Sequence, residues 1–285
     1  MAIITRKTCL VTGCSAGGVG PAFAEAFRNK GYHVFVTART PSKVPESLRE
    51  AANVTVIALD VTSLESIASA AEEVRKHTDR LDVLINNAGL GLNMPGLDTS
   101  IEEAKKLFDL NFFGVLAMMQ AFGPMLVAAR GCVVNNSSVG SVFPFAFSSI
   151  YNATKAALNQ ASETWRLEMA PLGVRVITLV TGGIATKFFV NLQTLTFPEN
   201  SYYNCVKDII EDNPEENPYG VKPEVFAQDV LNRVEKGATG KQWVGGGASI
   251  GRFALWLLPQ GVIDMMILSQ KPWSKKLAQE HLKTE

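Results

Sequence analysis

The sequence predicts an α/β fold: a doubly wound, mainly parallel sheet flanked by helices. Three observations carry that expectation. Short apolar runs rich in β-branched residues recur along the chain, with helical segments between them. The first run leads directly into a glycine-rich turn and then a helix. Hydrophobic residues make up 47% of the 285, enough to bury a sheet on both faces within one domain, 1–285.

The first strand is Thr8-Cys9-Leu10-Val11, followed by Thr12-Gly13-Cys14-Ser15-Ala16-Gly17-Gly18-Val19-Gly20. A helix then runs through residues 22–27 and closes near Lys30-Gly31. Strand, glycine turn and helix are the context of a Rossmann dinucleotide fingerprint. Without side chains, the backbone N–H groups approach a pyrophosphate, and the helix N-terminus adds orphan donors and a positive dipole end. Gly13, Ser15, Gly18, Val19 and Gly20 are the candidate contacts; the plainer alternative is a tight turn and no more.

The second strand, residues 33–37, ends in Ala38-Arg39-Thr40. An acid here would grip a ribose 2′-hydroxyl and repel a 2′-phosphate. Ala38 stands in its place, and the Arg39 guanidinium can pair bidentately with a 2′-phosphate, which favours NADPH/NADP+ over NADH. Arg39 as a solvated loop charge is the alternative. The third strand, 54–59, ends at Asp60-Val61, where the carboxylate either accepts from an adenine amino group or caps the next helix with Thr62 or Ser63. The fourth, 81–85, runs into Asn86-Asn87-Ala88-Gly89; small residues admit the cofactor ribose and the amides lock the strand ends. A long helix follows over 101–129 and carries Asn111 among phenylalanines, either as a satisfied core amide or as a distortion holding a water near Lys155. Further strands are expected at 131–135, 174–180 and 241–244.

Tyr151 and Lys155 are four residues apart, which a helix converts to one shared face. A phenol ionises near pH ~10 and is a poor proton donor or acceptor at neutrality. A neighbouring cation stabilises the phenolate and is expected to lower that value. Ser138, at the tip of the fifth strand, can hold a carbonyl oxygen beside the phenol. Together these groups can pass a proton to or from a C–O group while another agent moves a hydride.

As a set, the glycine turn, Asn86-Asn87-Ala88-Gly89, Asn111, Ser138 and Tyr151/Lys155 resemble the short-chain dehydrogenase/reductase family, over about the first two thirds of the chain. The resemblance implies that Tyr151 exchanges the proton, Lys155 lowers its pKa and binds the nicotinamide ribose, and Ser138 positions the substrate oxygen. It also implies that Asn111 anchors a water and that Ile184 and Thr186 hold the carboxamide. Residues 149–157, 180–186 and 245–250 are similar to the branch of fungal-type NADPH-dependent 1-acyldihydroxyacetone-phosphate reductases; related sequences act on steroids, retinoids and secondary metabolites. There are departures from the family pattern. Gly13 and Gly18 have four residues between them where three are common. Thr181 replaces a frequent proline, which predicts a less rigid loop, and Asn136 replaces an apolar residue.

Between residues 187 and 223 the pattern breaks down. Phe188, Phe189, Phe197, Tyr202, Tyr203 and Tyr219, with Pro198, Pro214 and Pro218, read as a lid over an apolar substrate or as a local satellite core. Lys187, Lys207 and Lys222 are candidates to meet a substrate phosphate. Two short helices are expected in the C-terminal extension, 245–285, neither reaching the ~20 residues of a membrane span. They would close the pocket, form a homo-oligomer contact (dimer or tetramer), or lie on a lipid surface with Trp256, Trp273, Lys271, Lys275 and Lys276 near the interface.

Lysine plus arginine and aspartate plus glutamate are both 27, so charge gives no argument for nucleic acid. Cys9, Cys14, Cys132 and Cys205 lack metal spacing, and reduced thiols are expected. His33, His77 and His281 are scattered, which supports neither a zinc site nor a Ser-His-Asp triad. The first residues are too soon polar for a secretory signal. The expectation is a cytoplasmic enzyme, with peripheral contact to endoplasmic reticulum or lipid droplets where the tail meets lipid.

Overall fold

The computed structural model describes residues 4–188, 196–212, 220–269 and 272–282; Phe189, Pro214, Pro218, Tyr219 and Lys271 lie outside the described residues. Seven parallel strands form one sheet in the order β3-β2-β1-β4-β5-β6-β7. They are β1 Thr8–Val11, β2 His33–Ala38, β3 Val54–Ala58, β4 Val83–Asn86, β5 Cys132–Asn136, β6 Arg175–Thr181 and β7 Gly240–Val244. The order reverses between β1 and β4, where doubly wound sheets open a crevice at their carboxyl ends.

The helices are α1 Val19–Asn29, α2 Glu46–Arg49, α3 Leu64–Arg75, α4 Ile101–Phe108, α5 Gly114–Ala129, α6 Ser149–Met169, α7 Lys207–Glu211, α8 Pro223–Glu235, α9 Ala248–Leu257, α10 Gln260–Leu268 and α11 Trp273–His281. Side chains alternate along each strand and so divide the core in two. Cys9, Val11, Val34, Val36, Val134 and Ile177 face Phe23 and Phe27 of α1 and Phe226 and Val230 of α8. Leu10, Phe35, Leu84 and Val133 face Ile67 and Val74 of α3 and Met118 and Phe122 of α5. Burying one such aromatic or aliphatic side chain contributes about 1.5–3 kcal/mol.

One expected boundary changes in the structure: β4 begins at Val83 rather than residue 81, where the Asp82 carboxylate takes the N–H of Thr8 (2.8 Å) at the start of the ladder. The helix over 101–129 carries a π turn at Asp109–Phe113, the backbone distortion that one reading of Asn111 gave. The two short helices of the tail are α9 and α10, and among the described residues α11 follows them, starting at a Pro272 cap and docking Trp273 and Leu277 onto the insertion.

Candidate active site

Ser138 follows β5, and α6 carries Tyr151 and Lys155 one turn apart beneath it. The Ser138 hydroxyl accepts from the Gly140 N–H (3.0 Å), and Gly140 lies against both that oxygen and the Tyr151 ring, so the two side chains share one edge of the site. Lys155 is 7% exposed, and its Nζ donates to the Asn136 carbonyl (2.9 Å), 5.9 Å from the Tyr151 ring centroid. Burial is the largest influence on both titrating groups. It pushes the Tyr151 phenol up, only partly offset by the Ser138 hydroxyl, and lowers Lys155 from 10.5 to about 8. The downward shift expected for the phenol is therefore not the dominant one: desolvation outweighs stabilisation of the phenolate, and weakens the hold on the ammonium proton as well.

Asn111 is fully buried, and both halves of its amide are used. It donates to the Leu90 carbonyl (2.9 Å) and to Thr154 Oγ1 (3.1 Å), and accepts from the Leu90 N–H (3.1 Å). Its side chain is a satisfied core amide, while its backbone lies in the π turn. The satisfied amide and the backbone distortion thus coexist.

The glycine turn is pinned by the Cys14 N–H to the Thr37 carbonyl and the Ala16 N–H to the Lys43 carbonyl, both 2.9 Å. Gly13 has φ +74°, and a Cβ there would come 2.8 Å from the Ala88 Cα. Thr12 Oγ1 accepts from the N–H groups of Asn87 and Ala88 (2.9 Å each), which draws the Asn87-Ala88-Gly89 loop against the turn. α1 starts at Val19 behind a Gly18 cap, so the N–H groups of Val19 and Gly20 lie in its unsatisfied first turn, with Ser15 half-buried beside them. A cleft of about 650 Å³ lies between Gly17, Gly18 and Pro21 on one side and Ala185, Thr186 and Lys187 on the other. Side-chain-free backbone, free donors and an adjoining cleft fit a dinucleotide phosphate.

At the far edge, Ala38 is buried and Arg39 exposed. Asp60 Oδ1 accepts from the Thr62 N–H (2.9 Å) and hydroxyl (2.7 Å), which hold its carboxyl below the usual range, with Arg39 adding a smaller pull. The cap of α3 is Ser63, which accepts from the Ser66 N–H (3.2 Å), so Asp60 does not cap the helix. Val61 is buried against Gly114. Ile184 is buried and bridged to Val221, and Thr186 accepts from the Phe188 N–H (3.3 Å).

The family model described as short chain dehydrogenase matches residues 7–195. The chain is a short-chain dehydrogenase/reductase. It is similar to "Short-chain dehydrogenase cctT" of Talaromyces islandicus, 42% identical over 81% of this chain and 83% of that protein. It is also similar to the NADPH-dependent 1-acyldihydroxyacetone phosphate reductase of Schizosaccharomyces pombe, 42% identical over 73% of this chain and 71% of that one. Among solved structures, a short chain dehydrogenase from Burkholderia cenocepacia in complex with NADP matches with a TM-score of 0.72 at 25% identity, covering 92% and 97%.

The surroundings of Tyr151 in this dehydrogenase are aromatic. The Tyr151 ring lies 5.9 Å from that of Phe188. Residues 196–212 bury Phe197, Val206 and Ile210 against Leu92, Met94 and Leu107, and Tyr151 packs at the edge of this cluster. The described part of the insertion is therefore a satellite core, and it borders the phenol. Phe147, at φ +64°, meets Trp273 of α11 edge-on at 4.7 Å. Neither Phe147 nor α11 was expected at the site; the run Phe143-Pro144-Phe145-Ala146-Phe147, between the serine and the tyrosine, was the available signal. Of the three lysines, Lys187 lies over Gly17 of the glycine turn. Lys207 pairs with Glu211 (3.7 Å) above the Phe197 ring, and Lys222 precedes α8. Cys9, Cys14 and Cys132 are buried free thiols, with burial pushing Cys14 up to about 12 and Cys132 to about 11.

Proposed function

We propose that this short-chain dehydrogenase is an NADPH-dependent reductase that converts a ketone on an uncharged, apolar skeleton to a secondary alcohol, or catalyses the reverse oxidation. The observation that carries this reading is Ser138, Tyr151 and Lys155 gathered in one place beside an aromatic border formed by Phe188 and the satellite core. Of the three lysines considered for a substrate phosphate, Lys207 pairs with Glu211, and Lys187 lays its alkyl chain over Gly17. A secondary-metabolite or steroid-like ketone or alcohol is the class that suits such a border. The second reading, 1-acyldihydroxyacetone phosphate, is supported by the 42% identity to the Schizosaccharomyces pombe reductase. A non-catalytic NADP-binding regulator would have no need of Ser138, Tyr151 and Lys155 together.

The Gly13, Ser15, Gly18, Val19 and Gly20 backbone would hold the pyrophosphate, Arg39 the 2′-phosphate, and Asp60 and Val61 the adenine. Asn87, Ala88 and Gly89 would flank the ribose, and Ile184 and Thr186 the carboxamide. When bound, the cofactor supplies the hydride. Ser138 donates to the substrate oxygen and fixes it beside the phenol. Tyr151 gives its proton to that oxygen in reduction and takes it back in oxidation. Lys155, held by the Asn136 carbonyl, would stabilise the phenolate and bind the nicotinamide ribose hydroxyls, and a water beside the π turn at Asn111 would return the proton.

Ile250, Phe253, Trp256, Leu257, Met265 and Met266 are each more than half exposed on α9 and α10. We assign this face to peripheral contact with a lipid surface of the endoplasmic reticulum or lipid droplets by an otherwise cytoplasmic homo-oligomer. The substrate test is a panel of bulky polycyclic ketones, their alcohols and a phosphorylated acyl ketone, each with NADPH or NADP+. Turnover confined to the phosphorylated ketone would replace the first reading with the second, and NADPH binding without turnover of any member would favour the regulator.

A further inference from the structure

The two side chains that depart from the family pattern, Asn136 and Thr181, are bonded to each other. The Thr181 hydroxyl donates to Asn136 Oδ1 at 2.7 Å, across the β5–β6 pair. Asn136 Nδ2 donates onward to Asn87 Oδ1 (3.1 Å), and Asn87 Nδ2 donates to the carbonyls of Thr12 (2.9 Å) and Gly13 (3.3 Å). The direction of this run is fixed chemically. A backbone carbonyl only accepts, so the glycine turn forces Asn87 to present its nitrogen there and its oxygen to Asn136. Asn136 must then turn its own nitrogen toward Asn87, which leaves Oδ1 for Thr181 and obliges the threonine hydroxyl to donate. The same residue's backbone carbonyl receives Lys155 Nζ at 2.9 Å.

Thr181 is the last residue of β6, and the residues after it form the near wall of the cleft. Lys187, at the end of that loop, donates its N–H to the Gly17 carbonyl (3.1 Å). The loop is thus tied at both ends, by Asn136 at its root and by the glycine turn at its tip.

We propose that Asn136 and Thr181 act as a coupled positioning pair, which registers the loop over 182–187 against both the glycine turn and Lys155. A proline at 181 would fix the chain by its ring but has no hydroxyl to donate. With Asn136 retained, it would strand a half-buried amide oxygen. An apolar residue at 136 has no such need. The two positions are therefore interdependent: Asn136 requires a donor at 181, and a residue without one at 181 requires an apolar partner at 136. The inference rests on NADPH occupying the cleft, and its first readout is NADPH affinity, which does not depend on the substrate's identity.

The experiment measures NADPH dissociation constants by fluorescence titration, kcat and KM on a ketone that the panel identifies, and melting temperature for five variants. Thr181→Val weakens NADPH binding about tenfold and lowers kcat, the effect of one unmet buried acceptor. Thr181→Ser, which keeps the hydroxyl, stays near wild type. Thr181→Pro and Asn136→Ile each weaken NADPH binding, while Asn136→Ile with Thr181→Pro recovers most of the loss. Two results would overturn the proposal: additive losses in the double variant, or a Thr181→Ser defect as large as that of Thr181→Val. A fall in melting temperature with unchanged NADPH affinity in Thr181→Val would also overturn it, by reducing the pair to a structural bond. Loss of NADPH binding already in the wild-type chain would instead count against the cofactor assignment.

Discussion

Replacing Lys155 with methionine should inactivate the enzyme and stabilise the fold. The lysine is buried, and desolvation lowers its pKa from 10.5 to about 8. At ~1.4 kcal/mol per pH unit, holding the ammonium out of water costs the folded state about 3 kcal/mol at neutral pH. Methionine fills similar space without charge but leaves the Asn136 carbonyl without its donor, a loss of ~1 kcal/mol. Lys155→Met should therefore be more stable by about 2 kcal/mol near pH 7. Between about pH 8 and 10.5 the unfolded lysine binds a proton that the folded one has released, so the wild type gains stability as pH rises through this window. Near pH 9.5 the penalty has shrunk to about 1 kcal/mol, and the variant's lead has largely gone. Urea unfolding of both proteins at equal protomer concentration, read across this range beside NADPH turnover, tests the reasoning. A stability difference that stays constant with pH would refute it, because the cost would then not come from the buried charge.

Tyr151→Phe should retain NADPH binding and lose turnover by about 10²–10⁴-fold, the range of a general acid–base group; unchanged turnover would end the proposed role. Arg39→Ala should weaken NADPH by about tenfold or more and leave NADH nearly unaffected, since the lost charge-assisted bonds reach only the 2′-phosphate; equal losses in fluorescence titration of both cofactors would contradict it. Phe253→Ser with Trp256→Ser should abolish co-sedimentation with phosphatidylcholine vesicles while NADPH turnover is kept; if the wild type stays in the supernatant, the lipid-surface assignment fails.

The places of the strands along the chain, the glycine turn and the shared face of Tyr151 and Lys155 were legible because their signals are local. A buried strand declares itself by a short apolar run, a crowded turn by glycine, and a helical face by a spacing of four. The backbone distortion at Asn111 was legible for the same reason, since an amide between apolar helical residues is out of place. Local signals gave less at α11, whose polar sequence conceals that Trp273 and Leu277 dock on residues some seventy positions earlier.

What the chain determines by itself is thus its fold and the chemistry of the groups brought to the crevice. Tertiary structure decided three further things: that burial outweighs the Ser138 hydroxyl in setting the Tyr151 phenol, that the described part of the insertion is a core bordering that phenol, and that Asn136 and Thr181 answer each other across two strands. Each depends on water excluded, or a partner supplied, by residues remote in the chain, and neither quantity is written in any local pattern.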